Sequence, residues 1–191
     1  GMKYIEFLQR RGLASQAENA LVELANHNPN NAAVLGSLAK LKLAHQDWAG
    51  AHAIAEQIKR LGDKRDSELA NQIQGAAFSG EKKYSESLAA LESVYEAAPN
   101  AAQPMVAIVA TYLNSKQPEK AEAFLQNAIK ANPNNAEALR HKGSILFALV
   151  RFTDGSAALK RYCLIRPDRT DLLMNFAAAA LQNGQKAQAG A

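Results

Sequence analysis

The chain is poor in the residues that usually carry chemistry. It has one cysteine, Cys163, in 191 residues. A lone thiol cannot close an internal disulfide, so cysteine usage leaves the redox compartment open. Set among apolar neighbours, Cys163 reads as an inert packed thiol. No apolar run approaches the ~18 residues that a membrane-spanning helix needs. The four histidines, His27, His45, His52 and His141, form no HxxH or HExxH and no metal-type spacing with Cys163, and read as surface residues. No serine sits in a GxSxG elbow. Gly12, Gly62, Gly80 and Gly184 read as turn glycines, not as a phosphate cradle. The carboxylates are dispersed, so no acid–base pair can be argued. These absences exclude the common catalytic constellations and predict neither an enzyme nor a cofactor or metal site. Charge is mild as well, at a formal +4. The basic clusters at Arg10–Arg11, Lys59–Arg65, Arg140–Lys142 and Lys160–Arg161 are scattered, where a nucleic-acid binder would gather them on one stripe. They read as solvated helix surface.

What the chain has instead is a period. Pro99, Pro133 and Pro167 stand 34 residues apart, with two amphipathic segments of helical length between each pair. Stepping from Ala121 by the same ruler meets Ala17, Ala51, Ser87, Gly155 and Ala189, at spacings of 34, 36, 34, 34 and 34. Small residues at fixed intervals suit helices that cross closely. Other rows keep register. One is Leu21, Ala55, Leu91, Leu125 and Leu159. A turn row reads Ala14, Trp48, Tyr84, Pro118, Phe152 and Lys186. A mid-face row of the first helices reads Tyr4, Leu38, Gln74, Ile108, Lys142 and Phe176. A period of 20–50 residues marks a repeat array, in which each unit packs only on its neighbours. Tight crossings of small side chains also explain why aromatics make up only 6% of the chain.

These features resemble the tetratricopeptide repeat: a 34-residue helix-turn-helix, small residues in both helices, an aromatic near the turn and a closing proline. Asn132 to Pro167 matches best, with Leu139, Gly143, Phe152, Leu159 and Pro167 on motif positions. Lys142 and Tyr162 depart from the pattern, where leucine and alanine are usual, and put the packing of the fifth repeat in question. The resemblance implies an all-α fold, a right-handed α-solenoid of stacked antiparallel helix pairs. It implies a single array over 1–191, with repeats at 3–29, 32–63, 66–99, 102–133 and 136–167 and a final helix at 170–182.

Local signals place the helices at Lys3–Arg11, then to His27, Ala32–Ala44, Ala49–Leu61, Ser67–Ser79, Ser85–Ala97, Ala102–Asn114, Pro118–Ala131, Ala136–Leu149, Thr153–Ile165 and Thr170–Gln182. Ser15 with Glu18 reads as a capping box. Asp47 and Thr153 read as N-caps, and Pro118 as a first-turn proline. Asn183-Gly184 reads as a helix stop. LGDKRDS (61–67) carries the two extra residues and predicts a longer turn. Gly1 ahead of Met2 reads as a remnant of tag removal. The chain reads as a piece of a longer protein or one trimmed of a leader.

In the tetratricopeptide family one face of the first helices lines a concave groove. Its rows here are Gly36, Gln72, Val106, Arg140 and Met174; Lys40, Ala76, Ala110, Ser144 and Ala178; and Leu43, Ser79, Leu113, Phe147 and Leu181. A small-residue floor beside an apolar ridge would admit an extended peptide or an amphipathic helix. Leu113 and Phe147 either point into that groove or pack against neighbouring first helices. Some family members hold a peptide carboxylate with Lys, Asn and Arg on successive first helices. Lys40 and Arg140 are separated by Ala76 and Ala110, so no such clamp is expected. Lys142, on the core face, is expected to snorkel.

The expected function is a non-catalytic scaffold for a protein or peptide partner. The alternative is an RNA-binding helical repeat, for which the groove offers only Phe147, Lys40 and Arg140. The cadence QPEKAEAFLQNAIKANPNNAEAL is also similar to the repeat lipoproteins of bacterial exosortase (PEP-CTERM) and exopolysaccharide systems. That resemblance implies an exported, envelope-associated protein; without it, a cytoplasmic one.

Overall fold

The computed structural model describes residues 1–99, 101–172, 174, 175, 178 and 181, the side chain of Gln9 aside. The described residues contain helices and no strand. They fall into two compact units, 1–97 and 98–191. The first unit holds α1 (Met2–Arg10), α2 (Ala14–His27), α3 (Ala32–Ala44), α4 (Trp48–Lys59), α5 (Lys64–Gly80) and α6 (Tyr84–Ala97). The second holds α7 (Ala102–Asn114), α8 (Pro118–Ala131), α9 (Ala136–Ala148), α10 (Phe152–Ile165) and a 3-10 turn at Pro167–Arg169. Within each unit consecutive helices pack on one another as helical hairpins. The final helix expected at 170–182 is helical wherever it is described. Phe176, Asn183-Gly184, Lys186 and Ala189 lie outside the described residues.

The small-residue row is buried at each described position. Ala17 is 3% exposed, Ala51, Ser87 and Ala121 are 0%, and Gly155 is buried. Twelve residues earlier, on the facing first helix, stand Ile5, Ala39, Gly75, Val109 and Gly143, all buried as well. These rows meet where the two helices of a hairpin cross. At the third crossing the Ser87 hydroxyl donates to the Gly75 carbonyl over 2.8 Å. At the fifth, a Cβ on Gly143 would lie 2.6 Å from Leu159 Cγ. The leucine row, Leu21 to Leu159, fills the space beside these crossings and is also buried.

Among the described residues, α1, α3, α5, α7 and α9 end in the same way. Leu13, Asp47, Lys83, Gln117 and Arg151 donate their backbone N–H to the carbonyls of Leu8, Lys42, Phe78, Tyr112 and Leu146, at 2.8–3.0 Å. In each case the residue just before has a left-handed backbone: Gly12 (φ 73°), Gln46 (59°), Lys82 (64°), Lys116 (59°) and Val150 (62°). This six-to-one hydrogen bond with a left-handed residue is the Schellman closure. It caps the helix and reverses the chain in three residues, and it recurs at 34, 36, 34 and 34. Only Gly12 announces it in the sequence.

Several local expectations are corrected. The capping box at Ser15 does not form, because α2 starts one residue earlier at Ala14 and Leu13 holds the cap position without a side-chain bond. Thr153 is likewise inside α10, behind Arg151. Asp47 does cap α4, accepting from Gly50 N at 2.9 Å. The longer turn expected at LGDKRDS is absent. Asp63 caps α5 by accepting from Arg65 N at 2.7 Å. The two extra residues, with two more that α4 gives up by running 12 residues where α2, α6, α8 and α10 run 14, join α5, which runs 17 where α3, α7 and α9 run 13. Of the two departures in the fifth repeat, Tyr162 is packed, only 2% exposed, while Lys142 is half-buried.

Candidate functional site

The groove residues separate by row. The small row is open: Lys40, Ala76, Ala110 and Ala178 are exposed, and Ser144 is half-buried. The bulky row is not a continuous ridge. Leu43 packs half-buried against the core of the first unit. Leu113 is 43% exposed and Leu181 67%. Phe147, expected as an alternative to line the groove, is 7% exposed. Its ring stacks at a tilt on Phe152, centroids 5.6 Å apart, and covers Gly155, where a Cβ would lie 2.5 Å from Phe147 Cδ2. The glycine leaves the hole and the ring fills it, so Phe147 belongs to the hairpin interior. In the third row Gly36 is buried; Gln72, Val106 and Arg140 are half-buried; Met174 is 73% exposed.

In the second unit part of this face encloses a cavity of about 160 Å³. Val109 and Leu113 of α7, Pro118 of α8, and His141, Ser144 and Ile145 of α9 line it. Its walls are mostly apolar, and its polar groups sit on one side. Ser144 Oγ turns back to the Arg140 carbonyl at 3.1 Å. Arg140 is bound to Glu137 at 2.7 and 3.0 Å and lies 2.8 Å from His141 Nε2. Burial holds the His141 imidazole below its ordinary pKa; the Arg140 cation adds to this and Glu137 opposes it. At neutral pH His141 is therefore an uncharged amphipathic wall of the cavity, with Arg140 already paired. The surface position expected of His141 is thus corrected. Its helical spacing to Ser144 and Ile145, one turn on, is the signal that places it here.

In the first unit Lys40 borders a cavity of about 390 Å³ with Met2, Ile5, Glu6, Ser37 and Leu41. Gln72 and Ala76 lie on α5, outside it. His52 also leaves the plain surface. Its ring packs at 4.5 Å on Phe78, and Nε2 lies 3.4 Å from Glu81. The Glu81 carboxyl is held below its usual range first by Lys83 at 3.0 Å and further by His52, against the effect of burial. His27 and His45 are exposed as expected. Cys163 is half-buried, and its thiol approaches the Arg169 carbonyl at 3.7 Å. Among the described residues no three metal-ligating side chains converge. Nor is any described helix long and apolar enough to cross a membrane.

Residues 79–145 match the family model for the tetratricopeptide repeat. No curated protein matches the chain. Solved structures do. TTC0263, a thermophilic tetratricopeptide protein of Thermus thermophilus, is 18% identical with a TM-score of 0.63, over 94% of this chain and 96% of its own. MamA (41-end) of Desulfovibrio magneticus RS-1 is 21% identical with a TM-score of 0.60, over 88% and 94%. YrrB, described as a tetratricopeptide protein with an unusual peptide-binding site, is 18% identical with a TM-score of 0.51, over 86% and 84%. At these identities the likeness is one of fold.

Proposed function

We propose that the chain, whose residues 79–145 match the tetratricopeptide-repeat model, is a non-catalytic interaction scaffold that takes a peptide or protein segment on the first-helix face of its second unit. The observation that carries this is the largely apolar cavity beside Leu113. An exposed leucine, a small-residue strip at Ala110 and Ser144, and an uncharged His141 together suit one apolar anchor side chain of an extended or helical segment. Burying such an anchor contributes roughly 1.5–3 kcal/mol. No cofactor is needed. The peptide site ascribed to YrrB supports the class of ligand. Panning a peptide library against the chain tests it. Peptides with a large apolar anchor should emerge and lose at least tenfold in affinity against Leu113→Glu. Peptides indifferent to that change would remove the site from consideration. Affinity that collapsed between low and moderate salt would instead favour a nucleic acid.

The repeat cadence supports a setting in a bacterial envelope or exopolysaccharide-export system. Polysaccharide-export genes beside this one would strengthen that placement; a cytoplasmic operon would remove it.

A further inference from the structure

Another cavity of the second unit, of about 330 Å³, opens between α8, α9 and α10, bordered by Gln126, Lys142, Arg151, Asp154 and Arg161. The repeat register supplies its own comparison. Two repeats before Lys142 stands Gln74, and two before Gln126 stands Glu56. Gln74 Nε2 donates to Glu56 Oε1 at 2.6 Å. In the fifth repeat the same two positions hold a cation and a neutral amide, and Lys142 Nζ donates to Gln126 Oε1. The snorkelling expected of Lys142 thus ends on a partner that carries no charge. Arg161 repeats the theme. It donates to the Pro133 carbonyl at 2.9 Å, while three repeats earlier Gln57 makes the same bond to the Pro29 carbonyl at 2.7 Å. The structural bond needs no charge there. Two repeats before Arg161 the residue is Ser93. Glu56, Gln74 and Ser93 together carry −1, whereas Gln126, Lys142 and Arg161 carry +2.

The carboxylates nearby offset this only in part, since Asp154 and Glu122 share the single cation Arg151 and the six side chains together keep +1. Asp154 and Glu122 are both held by Arg151, at 2.8 and 2.6 Å. Among the described residues no carboxylate lies within ion-pair distance of Lys142 or Arg161. A half-buried ammonium facing only an amide oxygen leaves two strong donors unused, and Arg161 keeps most of its fork free.

We propose that this cavity is an oxyanion site, in which Lys142 and Arg161 bind a carboxylate or phosphate ester and Gln126 orients Lys142. The site lies apart from the apolar cavity beside Leu113 and does not depend on it.

Titration of the 15N-labelled chain with inorganic phosphate, with acetate, and with sodium chloride at matched ionic strength tests this. Saturable shifts at Gln126, Lys142 and Arg161 are expected with phosphate or acetate and not with chloride. The tighter of the two identifies the source as a phosphate ester or a carboxylate. Lys142→Gln and Arg161→Gln should each weaken binding at least fivefold. Arg161 is exposed, so that variant reports even if Lys142→Gln fails to fold. Gln126→Glu supplies an internal counter-ion; it should abolish binding and raise the melting temperature. Leu113→Glu should leave the shifts unchanged. Shifts no larger than with chloride, or binding unaltered in Arg161→Gln, overturn the proposal.

Discussion

Val150 is the residue to change first. It holds the left-handed position of the fifth turn with φ 62°, and it is 67% exposed. The turn needs that conformation, because Arg151 N reaches the Leu146 carbonyl at 2.8 Å only if the chain bends left there. A side chain with a Cβ costs about 1–2 kcal/mol in the left-handed region, and β-branching adds to it. Little packing opposes replacement. A third of the side chain is covered, which at 1.5–3 kcal/mol for full burial amounts to roughly 0.5–1 kcal/mol. Asparagine tolerates the left-handed region without glycine's flexibility in the unfolded chain. Val150→Asn should therefore stabilise by about 1 kcal/mol and Val150→Gly by somewhat less. Val150→Ala keeps the Cβ, loses the contacts, and should be neutral or slightly destabilising. Urea unfolding followed by helical circular dichroism reads this directly, as a rise in midpoint at constant slope. Thermal melting should move by a few degrees. If Asn and Ala behave alike, or both destabilise, the turn holds no strain.

Two other perturbations follow from the packing and the charges. Gly155→Ala would place a Cβ 2.5 Å from the Phe147 ring and 3.3 Å from the Gly143 carbonyl. A loss of about 1–3 kcal/mol is expected, with partial recovery in Gly155→Ala/Phe147→Leu; a cost under ~0.5 kcal/mol would show that the crossing yields easily. Because burial depresses the His141 pKa, its neutral form is the folded form. Its contribution is present above its ordinary value near 6.5 and is lost as pH falls through the lower, folded value. His141→Gln should flatten unfolding midpoints on that acid side of neutrality; an unchanged pH profile would refute the assignment.

Much of the architecture was legible because close crossings demand small residues, and Ala17, Ala51, Ser87, Ala121 and Gly155 are small for that one reason. The helix starts were less legible. Ser15 and Thr153 have the right chemistry for caps, yet the preceding turn sets where the chain becomes helical, and α2 and α10 already start at Ala14 and Phe152. That closure left no mark beyond Gly12, since it draws on backbone groups that every residue has. For the groove, spacing placed the candidates on the first helices but could not say which of them stay open. Phe147 and Leu113 share a register, but the Phe147 ring fills the space that Gly155 leaves, whereas Leu113 stays 43% exposed. Reading that glycine as a hole to be filled would have found the answer. His141 and Lys142 were ambiguous because half-buried polar residues are decided by neighbours on other helices, and those neighbours break the repeat.

The lengthened α5 bears on how such a chain tolerates insertion. Each residue added to a helix turns everything beyond it by about 100°. Two residues placed mid-helix would swing Ile73 and Ala77 toward water. Taken up instead ahead of the first turn, with Asp63 moved out to hold the new tip, they add a charged extension and leave every downstream face where it was. Natural variation in length among stacked hairpins should therefore accumulate at helix starts, where a new cap is all that an accepted insertion requires.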